Sequence, residues 1–508
     1  MSRIVKSKIQ PTITSVIQTI KNDGSIDSID LKKNDIVTDL RYVDSENISK
    51  VTGRVANFTL DVSKKVRTYT SNPKSFFSED VKLTSLEIDA SQEYKSNIIT
   101  VPAREIIENE NVTDVKRMKY YVKYGVSFEI SLTDGTLNTF EIQEGQTVVG
   151  LTYLNSGSED TVTCKVIAIN HDRNLGATAL VVMIDDAVKE IPIRCVKNIE
   201  KTVDPITLNE SISDAIKNTT DGFVSISAGT FTDDITIEKD MIIYGARAGQ
   251  SASTKNGMKS TVDETIIAGN IKVSSGVSIT LDGVTLTDKA LINVSGAKDI
   301  TIKNCKILGL TPTSKKTFVV RTDPADETKV IIKNCYFGEN PRIEKDGFEV
   351  YNLLELNGAL KDGSEFSNNY FVEGCSNHND INIYQVEEGA TIRISNNTWE
   401  KSANAIRLGI KGEPSCTIDV INNTYMTTDS NKEYAGLICI QPYAKETTSM
   451  ANTTIKITGT SYKGPTFSDG TRPQTYYMYA GKNDMQFTEE NVPTIIFNGR
   501  TVLAPIKK

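Results

Sequence analysis

The residues best placed for chemistry lie in "VEGCSNHNDINIYQVEEG" (372–389), where Glu373, Asp380, Glu387 and Glu388 could converge beside Arg393. Two carboxylates roughly 5–10 Å apart on either side of a sugar linkage can hydrolyse it. The weight against this is ordinary: acidic residues in a loop are usually there for solvation. Other reaction chemistries lack their parts. His171 and His378 are the only histidines, no G-x-S-x-G elbow accompanies them, and neither has a metal partner at ligand spacing, so both read as surface-loop residues. Cys164, Cys195, Cys305, Cys335, Cys375, Cys416 and Cys439 are odd in number and contain no C-x-x-C pair, which fits buried free thiols rather than a disulfide framework or a zinc site. Phosphate loops and dinucleotide fingerprints are missing. No catalytic residue, metal ligand or cofactor site is expected, and the chain reads as non-enzymatic sooner than enzymatic.

The elements that would carry such residues follow from a repeat. "TIRISNNTWE" (391–400) is nearly restated as "TIDVINNTYM" (417–426). With the first Asn or its substitute as position zero, eight copies align at Gly283, Asn304, Asn334, Asn368, Asn396, Asn422, Gly459 and Gly499, spaced by 21 to 40 residues. Two places earlier stand Leu281, Ile302, Ile332, Phe366, Ile394, Val420, Ile457 and Phe497; three places later stand Leu286, Ile307, Phe337, Phe371, Trp399, Tyr425, Tyr462 and Val502. Apolar residues alternate with polar ones, which is the period of a strand with one buried face. The Asn or Gly marks a bend, because both tolerate a left-handed backbone. A constant strand–bend–strand unit joined by variable returns is one coil of a solenoid. Phe337, Phe371, Trp399, Tyr425 and Tyr462 are then expected to stack in the core. Asn304, Asn334, Asn368, Asn396 and Asn422 are expected to form an amide ladder. A sugar-binding platform is the sharper alternative for Trp399.

Residues 204–246 read as the start of this array. Thr207 and Glu210 have capping-box spacing, Leu208, Ile212 and Ile216 recur at helical spacing, and Val224, Ile226, Ile235 and Ile237 alternate around a turn at Ala228–Gly229. Here the chain resembles the right-handed parallel β-helix proteins of the pectate-lyase-like superfamily, over about residues 204–505. The resemblance implies a mainly β chain, with a right-handed parallel β-helix of about ten coils stacked ~4.8 Å apart. It does not imply an activity, because that fold carries lyases, hydrolases and inert proteins alike. The "NTD", "GHG" and "RIK" motifs of polygalacturonase-like members do not occur in the array, and "DD" at 233–234 lies near its start without partners.

Ahead of the array, one or two small, mostly antiparallel β domains are expected: 1–118 and 119–203, with the β-helix domain at 204–508. In 124–145, Val126, Phe128, Ile130 and Leu132 lead to a turn at Asp134–Gly135, and Phe140 and Ile142 return. Val162, Cys164, Val166 and Ala168 form another strand, as do Ile191, Ile193 and Cys195. The stretch 104–125 comes nearest to a helix in this region, and its pattern is ambiguous.

At 508 residues the chain is long enough for several cores. A net charge of −8 without basic runs disfavours nucleic acid, and no apolar stretch approaches the ~20 residues of a membrane span. The first residues lack the apolar core of a signal peptide, which points to synthesis in a host cytoplasm. Among β-helix proteins the chain looks most like phage virion appendages. It is expected to be a structural virion piece on the head, tail or baseplate, joined to other virion proteins through 1–203. A host surface glycan and a homo-oligomer are further partner expectations. The alternative is a tailspike-like polysaccharide depolymerase or lyase.

Overall fold

The computed structural model describes residues 6–21, 26–45, 47–61, 82–90, 97–107, 115–131, 137–171, 177–184, 187–206, 210–220, 222–253, 264–294, 296–311, 317–338, 350–372, 379–400, 404–426, 436–440, 450–463, 474–479, 492–502 and 506–507. The chain divides into two units, 1–209 with 227–230, and 210–226 with 231–508. Both are built mainly of strands.

Strands β1 (Lys6–Lys21), β2 (Ile26–Lys32), β3 (Ile36–Asp44), β4 (Asn47–Asp61), β5 (Lys82–Asp89), β6 (Ile98–Pro102), β7 (Ile106–Ile107), β8 (Val115–Ser131), β9 (Leu137–Gln143), β10 (Thr147–Asn155), β11 (Ser158–His171), β12 (Ala177–Ile184), β13 (Ala187–Pro192), β14 (Val196–Asn198) and β15 (Lys201–Val203) belong to the first unit. They form three antiparallel sheets, ordered β2-β1-β8-β9, β6-β5-β4-β3-β7 and β13-β12-β11-β10-β14, with β15 also on β10. The expected hairpin pairs Gly125 with Gln143 through Ser131 with Leu137; its turn lies outside the described residues. Among the described residues, none of 104–125 is α-helical. The stretch holds the end of a short 3₁₀ turn (Ala103–Glu105) and the first part of β8, which continues unbroken through residue 118. The sequence pattern explains the difference. Met118, Tyr120, Val122, Tyr124, Val126 and Phe128 recur every second residue, and β1 pairs with β8 from Lys6–Ser131 to Ile20–Arg117. A long partner strand overrides the helix-forming Lys and Arg between them.

The two halves of this unit are copies of one module, which the sequence reading did not find. Residue i in β1–β4 corresponds to residue i + 111 in β8–β11: Thr14 pairs with Lys32 as Gly125 does with Gln143, and Val37 with Gly53 as Val148 does with Cys164. Both hairpins slip register at the same place, Val37/Leu40 and Val148/Leu151. Both bulge again at Val55/Asn57 and Val166/Ala168. Left-handed residues coincide at Asn34 and Gly145, Asp39 and Gly150, Ser45 and Ser156. The Asp35 side chain accepts from Lys32 N–H and the Gln146 side chain from Gln143 N–H, each at 2.7 Å. Thr84 and Thr178 hydroxyls donate to Thr59 and Asn170 carbonyls. Pro102 and Pro192 each lead into a 3₁₀ turn closed by the N–H of Ile106 or Val196. Each copy fills its own core: Val55, Leu86, Ile88, Val101 and Ile106 with Ile17, and Val166, Leu180, Val182, Ile191 and Val196 with Phe128. Ile13 of β1 pairs with its own counterpart, Tyr124 of β8, so a local two-fold axis passes through that pair.

The second unit begins with helix α1 (Ile212–Asn218), whose Ile212 and Ile216 are buried. Its cap is Ser211, whose hydroxyl accepts from Asp214 N–H at 3.2 Å; Thr207 and Leu208, expected to open the helix, lie outside the described residues. Beyond it the strands pair in parallel in three stacks. One contains ten strands among the described residues, from Phe223–Ser225 to Thr494–Phe497. A second runs from Thr265–Ile267 to Ser461–Tyr462. A third contains Ile235–Ile237, Val350–Leu360, Asn379–Val386 and Asn404–Leu408. The chain visits the stacks in turn and returns, a connectivity that fits a β-helix. Ile279, Ile300, Val330, Ile392, Ile418 and Ile455 are buried as the repeat requires, and so are Leu281, Ile302, Ile332, Phe366, Ile394, Val420 and Ile457.

The final copy of the phrase does something different. Asn498 (φ 46°) and Gly499 (φ 80°) are both left-handed, and Phe497 pairs antiparallel with Arg500. Asn-Gly with both φ positive is the preferred two-residue hairpin turn. The chain folds back on its own edge there before Ile506–Lys507 adds one more parallel pairing, to Met478–Tyr479.

Candidate functional site

The bend asparagines divide their work differently from the expectation. Asn304, Asn334, Asn368, Asn396 and Asn422 all adopt φ between 52° and 58°, as the bend requires. The buried ladder belongs mainly to the residue after each of them. The Asn397 amide donates to Phe366 O and Asn423 Oδ1, and its Oδ1 accepts from the Asn369 backbone and amide, all within 3.0 Å. Asn369 and Asn423 repeat these contacts on Ile332 O and Ile394 O. The column continues as Cys335, whose N–H donates to Asn369 Oδ1, and as Thr460, whose Oγ1 accepts from Asn423 N–H. Among the first asparagines, Asn368 donates to Asn334 at 2.6 Å, but Asn368, Asn396 and Asn422 face solvent. A side chain that points outward from a left-handed bend leaves the inward position to its successor.

Beside this column the aromatic residues stack. Phe337 and Phe371 lie 4.5 Å apart at 5°, and Phe371 and Trp399 lie 4.9 Å apart at 3°. Tyr425 and Tyr462 are tilted by 48°. Trp399 is 0% exposed, so it is a core rung and has no face to offer a sugar.

Glu373 and His378 lie outside the described residues, as does the His171 side chain. Asp380 is on a strand, 1% exposed, in the third stack, whereas Arg393 is exposed on the first stack, in register with Glu365 and Asp419. Glu387 accepts from Asp362 N–H and Glu388 from Ser415 N–H, so both fasten turns between coils. The six described cysteines are free. Burial pushes the Cys164 thiol up to about 12 and raises Cys335 and Cys416, which keeps them protonated and unreactive. Among the described residues no group of three or more His, Cys, Asp or Glu is placed to hold a metal ion. Nor is any described helix long and apolar enough to cross a membrane.

A polar row that the sequence reading passed over lies on the third stack. Glu355, Asn382 and Arg407 occupy one register on successive strands. The Asn382 amide donates to Glu355 Oε2 (3.0 Å) and to the Tyr384 hydroxyl (2.9 Å), and the Asn352 amide donates to Glu355 Oε2 (2.6 Å). Arg407 donates to the Tyr384 hydroxyl at 3.4 Å and lies over its ring. Asn382 Oδ1 and Arg407 Nε are buried without a hydrogen-bond partner. One lacks a donor and the other an acceptor. The signal was present in "NDINIYQV", where Asp380, Asn382 and Tyr384 alternate with Ile381 and Ile383, but the stretch reads equally as a loop.

A second ionic cluster surrounds Glu264. It accepts from Thr285 (2.7 Å), pairs with Arg247 (3.2 Å) and contacts Lys306. Burial lowers the Lys306 pKa, and the Glu264 hydrogen bond opposes that shift. Nearby, Asp282, fully buried, accepts from Asn304 and Gly249. The segment 245–252 is pinned along the bends by these contacts and by Ala252 N–H to Asn334 O. Gly283 replaces Asn at the first bend because a Cβ there would come within 2.0 Å of Ala248 N. This cluster is a clasp.

No protein-family model, no curated protein and no solved structure matches the chain.

Proposed function

We propose that the chain is a non-enzymatic structural appendage of a phage virion, in which a right-handed parallel β-helix of the pectate-lyase-like kind is mounted on the particle by residues 1–203. The observation that carries this reading is the placement of exposed apolar side chains. Among the described residues the exposed large ones are Ile36 (73%), Ile48 (51%), Ile98 (45%), Leu154 (40%) and Ile242 (36%), and the first four lie in residues 1–203. An uneven share of exposed aliphatic groups marks the unit in which a docking surface is to be sought. The parallel stacks spend their polar groups on ladders and turn caps, a use suited to a rigid spacer. Fold alone does not fix this function. The test is binding of full-length protein to particles assembled without it, with fragment 1–203 as competitor. Competition by 1–203 supports the mount; attachment through 204–508 alone overturns it.

A tailspike-like glycan depolymerase is the second reading, favoured by the polar row Glu355–Asn382–Arg407 with Tyr384. Release of reducing ends from a bacterial polysaccharide, lost in Glu355→Gln or Asp380→Asn, would replace the structural reading with this one.

A further inference from the structure

The duplicated module provides an internal comparison of what each copy has kept. Most shared residues have a duty inside the module. Val37/Val148, Leu40/Leu151, Val55/Val166 and Leu86/Leu180 fill the two cores. Thr84/Thr178 tie strands, Ser45/Ser156 make left-handed turns, and Pro102/Pro192 open the 3₁₀ turns. Arg104 and Arg194 have no such duty. They sit at the same place, two residues after the proline in "VPAREI" and "IPIRCV", and both are exposed. Among the described residues Arg104, with 82% of its side chain exposed, has an ion pair only with its neighbour Glu105, and Arg194 has none. Each turn lies beside a hairpin, Ala103–Glu105 along β3 and Ile193–Cys195 along β10. Those hairpins carry aliphatic residues near their tips: Val43 with Ile48 opposite it, and Leu154 at the position equivalent to Val43.

We propose that Arg104 and Arg194, each with its hairpin tip, are two equivalent contacts through which residues 1–203 grip two copies of one acidic protein subunit. This rests on the reading of 1–203 as the mount. Arginine beside an exposed aliphatic group is a protein-recognition pairing, with the guanidinium donating in fork geometry to a carboxylate. A polyphosphate chain fits less well, because each contact offers a single arginine and not the concentrated positive surface that phosphate binding needs. The local two-fold through Ile13 and Tyr124 relates the two contacts, so a partner matching one presents the same feature again to the other. Two joined sites bind far more tightly than one.

The probe is particles purified from a phage stock whose copy of this gene carries a nonsense codon, titrated with labelled full-length chain by cosedimentation. Arg104→Glu and Arg194→Glu should each lower apparent affinity by roughly 10²-fold or more, because either leaves one site. The double variant should not bind, Arg104→Lys should bind more weakly than the wild type but more tightly than Arg104→Glu because lysine keeps the charge and loses the fork, and thermal melts should be unchanged because both side chains lie outside the cores. Wild-type affinity in both single variants overturns the proposal, as does a loss confined to one arginine. If the charge reversals instead dissociate a self-assembly of the chain and leave particle binding intact, the partner is a second copy and the proposal fails. If wild-type protein does not bind particles at all, the mount reading itself fails.

Discussion

The two units repeat themselves in different ways, and the difference decides what each position must be. In the parallel stacks, equivalent residues touch: Phe337 lies on Phe371 and Phe371 on Trp399, and Asn369 bonds to Asn397 and Asn397 to Asn423. A rung is therefore chosen to match the rung beside it. In the antiparallel unit, equivalent residues such as Leu86 and Leu180 are buried in separate cores and never meet. Each has only to fill its own space. Translation makes like residues contact like; a local two-fold with separate cores does not.

The largest effects should come from the aromatic column. Trp399→Ala and Phe371→Ala each remove a fully buried ring and should each cost about 3–5 kcal/mol. Because the rings are 4.9 Å apart, the double variant should depart from the sum by more than ~0.5 kcal/mol. Urea denaturation followed by circular dichroism gives the cycle. Strict additivity would mean that the column is a coincidence of packing.

The next comparison should show the opposite. Leu86→Ala and Leu180→Ala should each cost about 2–5 kcal/mol. As they belong to separate cores, the two losses should add to within ~0.5 kcal/mol. Amide exchange in β5 and β12 reads each core separately. Strong coupling between them would show that the two modules share one core.

This contrast also explains what could be read from the sequence. The coil phrase was visible because stacking forces Ile, Asn and aromatic residues into the same column copy after copy, and long parallel stacks were found where it predicted them. The duplication in 14–198 was hidden because filling separate cores allows Ile17 to correspond to Phe128, Gly53 to Cys164 and Asp39 to Gly150. What survives is backbone geometry: bulges, left-handed turns and a proline before a 3₁₀ turn. Strand β8 was ambiguous because Lys and Arg between its Tyr and Val residues suit a helix until a 16-residue partner strand is available. The ladder was placed one residue early because "NN" does not say which amide points inward. The polar row on the third stack was missed because strand and loop readings of "NDINIYQV" are equally good without its neighbours.

Asn397→Ala tests the inward amide. It strands the Phe366 carbonyl, the Asn369 donors and Asn423 Oδ1 in a buried column, and should cost roughly 2–4 kcal/mol.

The smallest expected effect belongs to the residue next to it. Asn396 is exposed and has φ 56°, a conformation that an ordinary side chain resists and glycine accepts freely. Its own contribution is conformational, since the ladder bonds belong to Asn397. Asn396→Ala should therefore cost about 1 kcal/mol, and Asn396→Gly should fall within ~0.5 kcal/mol of the wild type, because Gly283 and Gly459 already hold equivalent bends with φ 70° and 60°. The two adjacent asparagines then separate by chemistry: replacing one costs a network, replacing the other only a backbone preference. Equal losses for Asn396→Ala and Asn397→Ala in the same urea series, with no recovery in Asn396→Gly, would return the ladder to the first asparagine and remove the distinction between bend and rung.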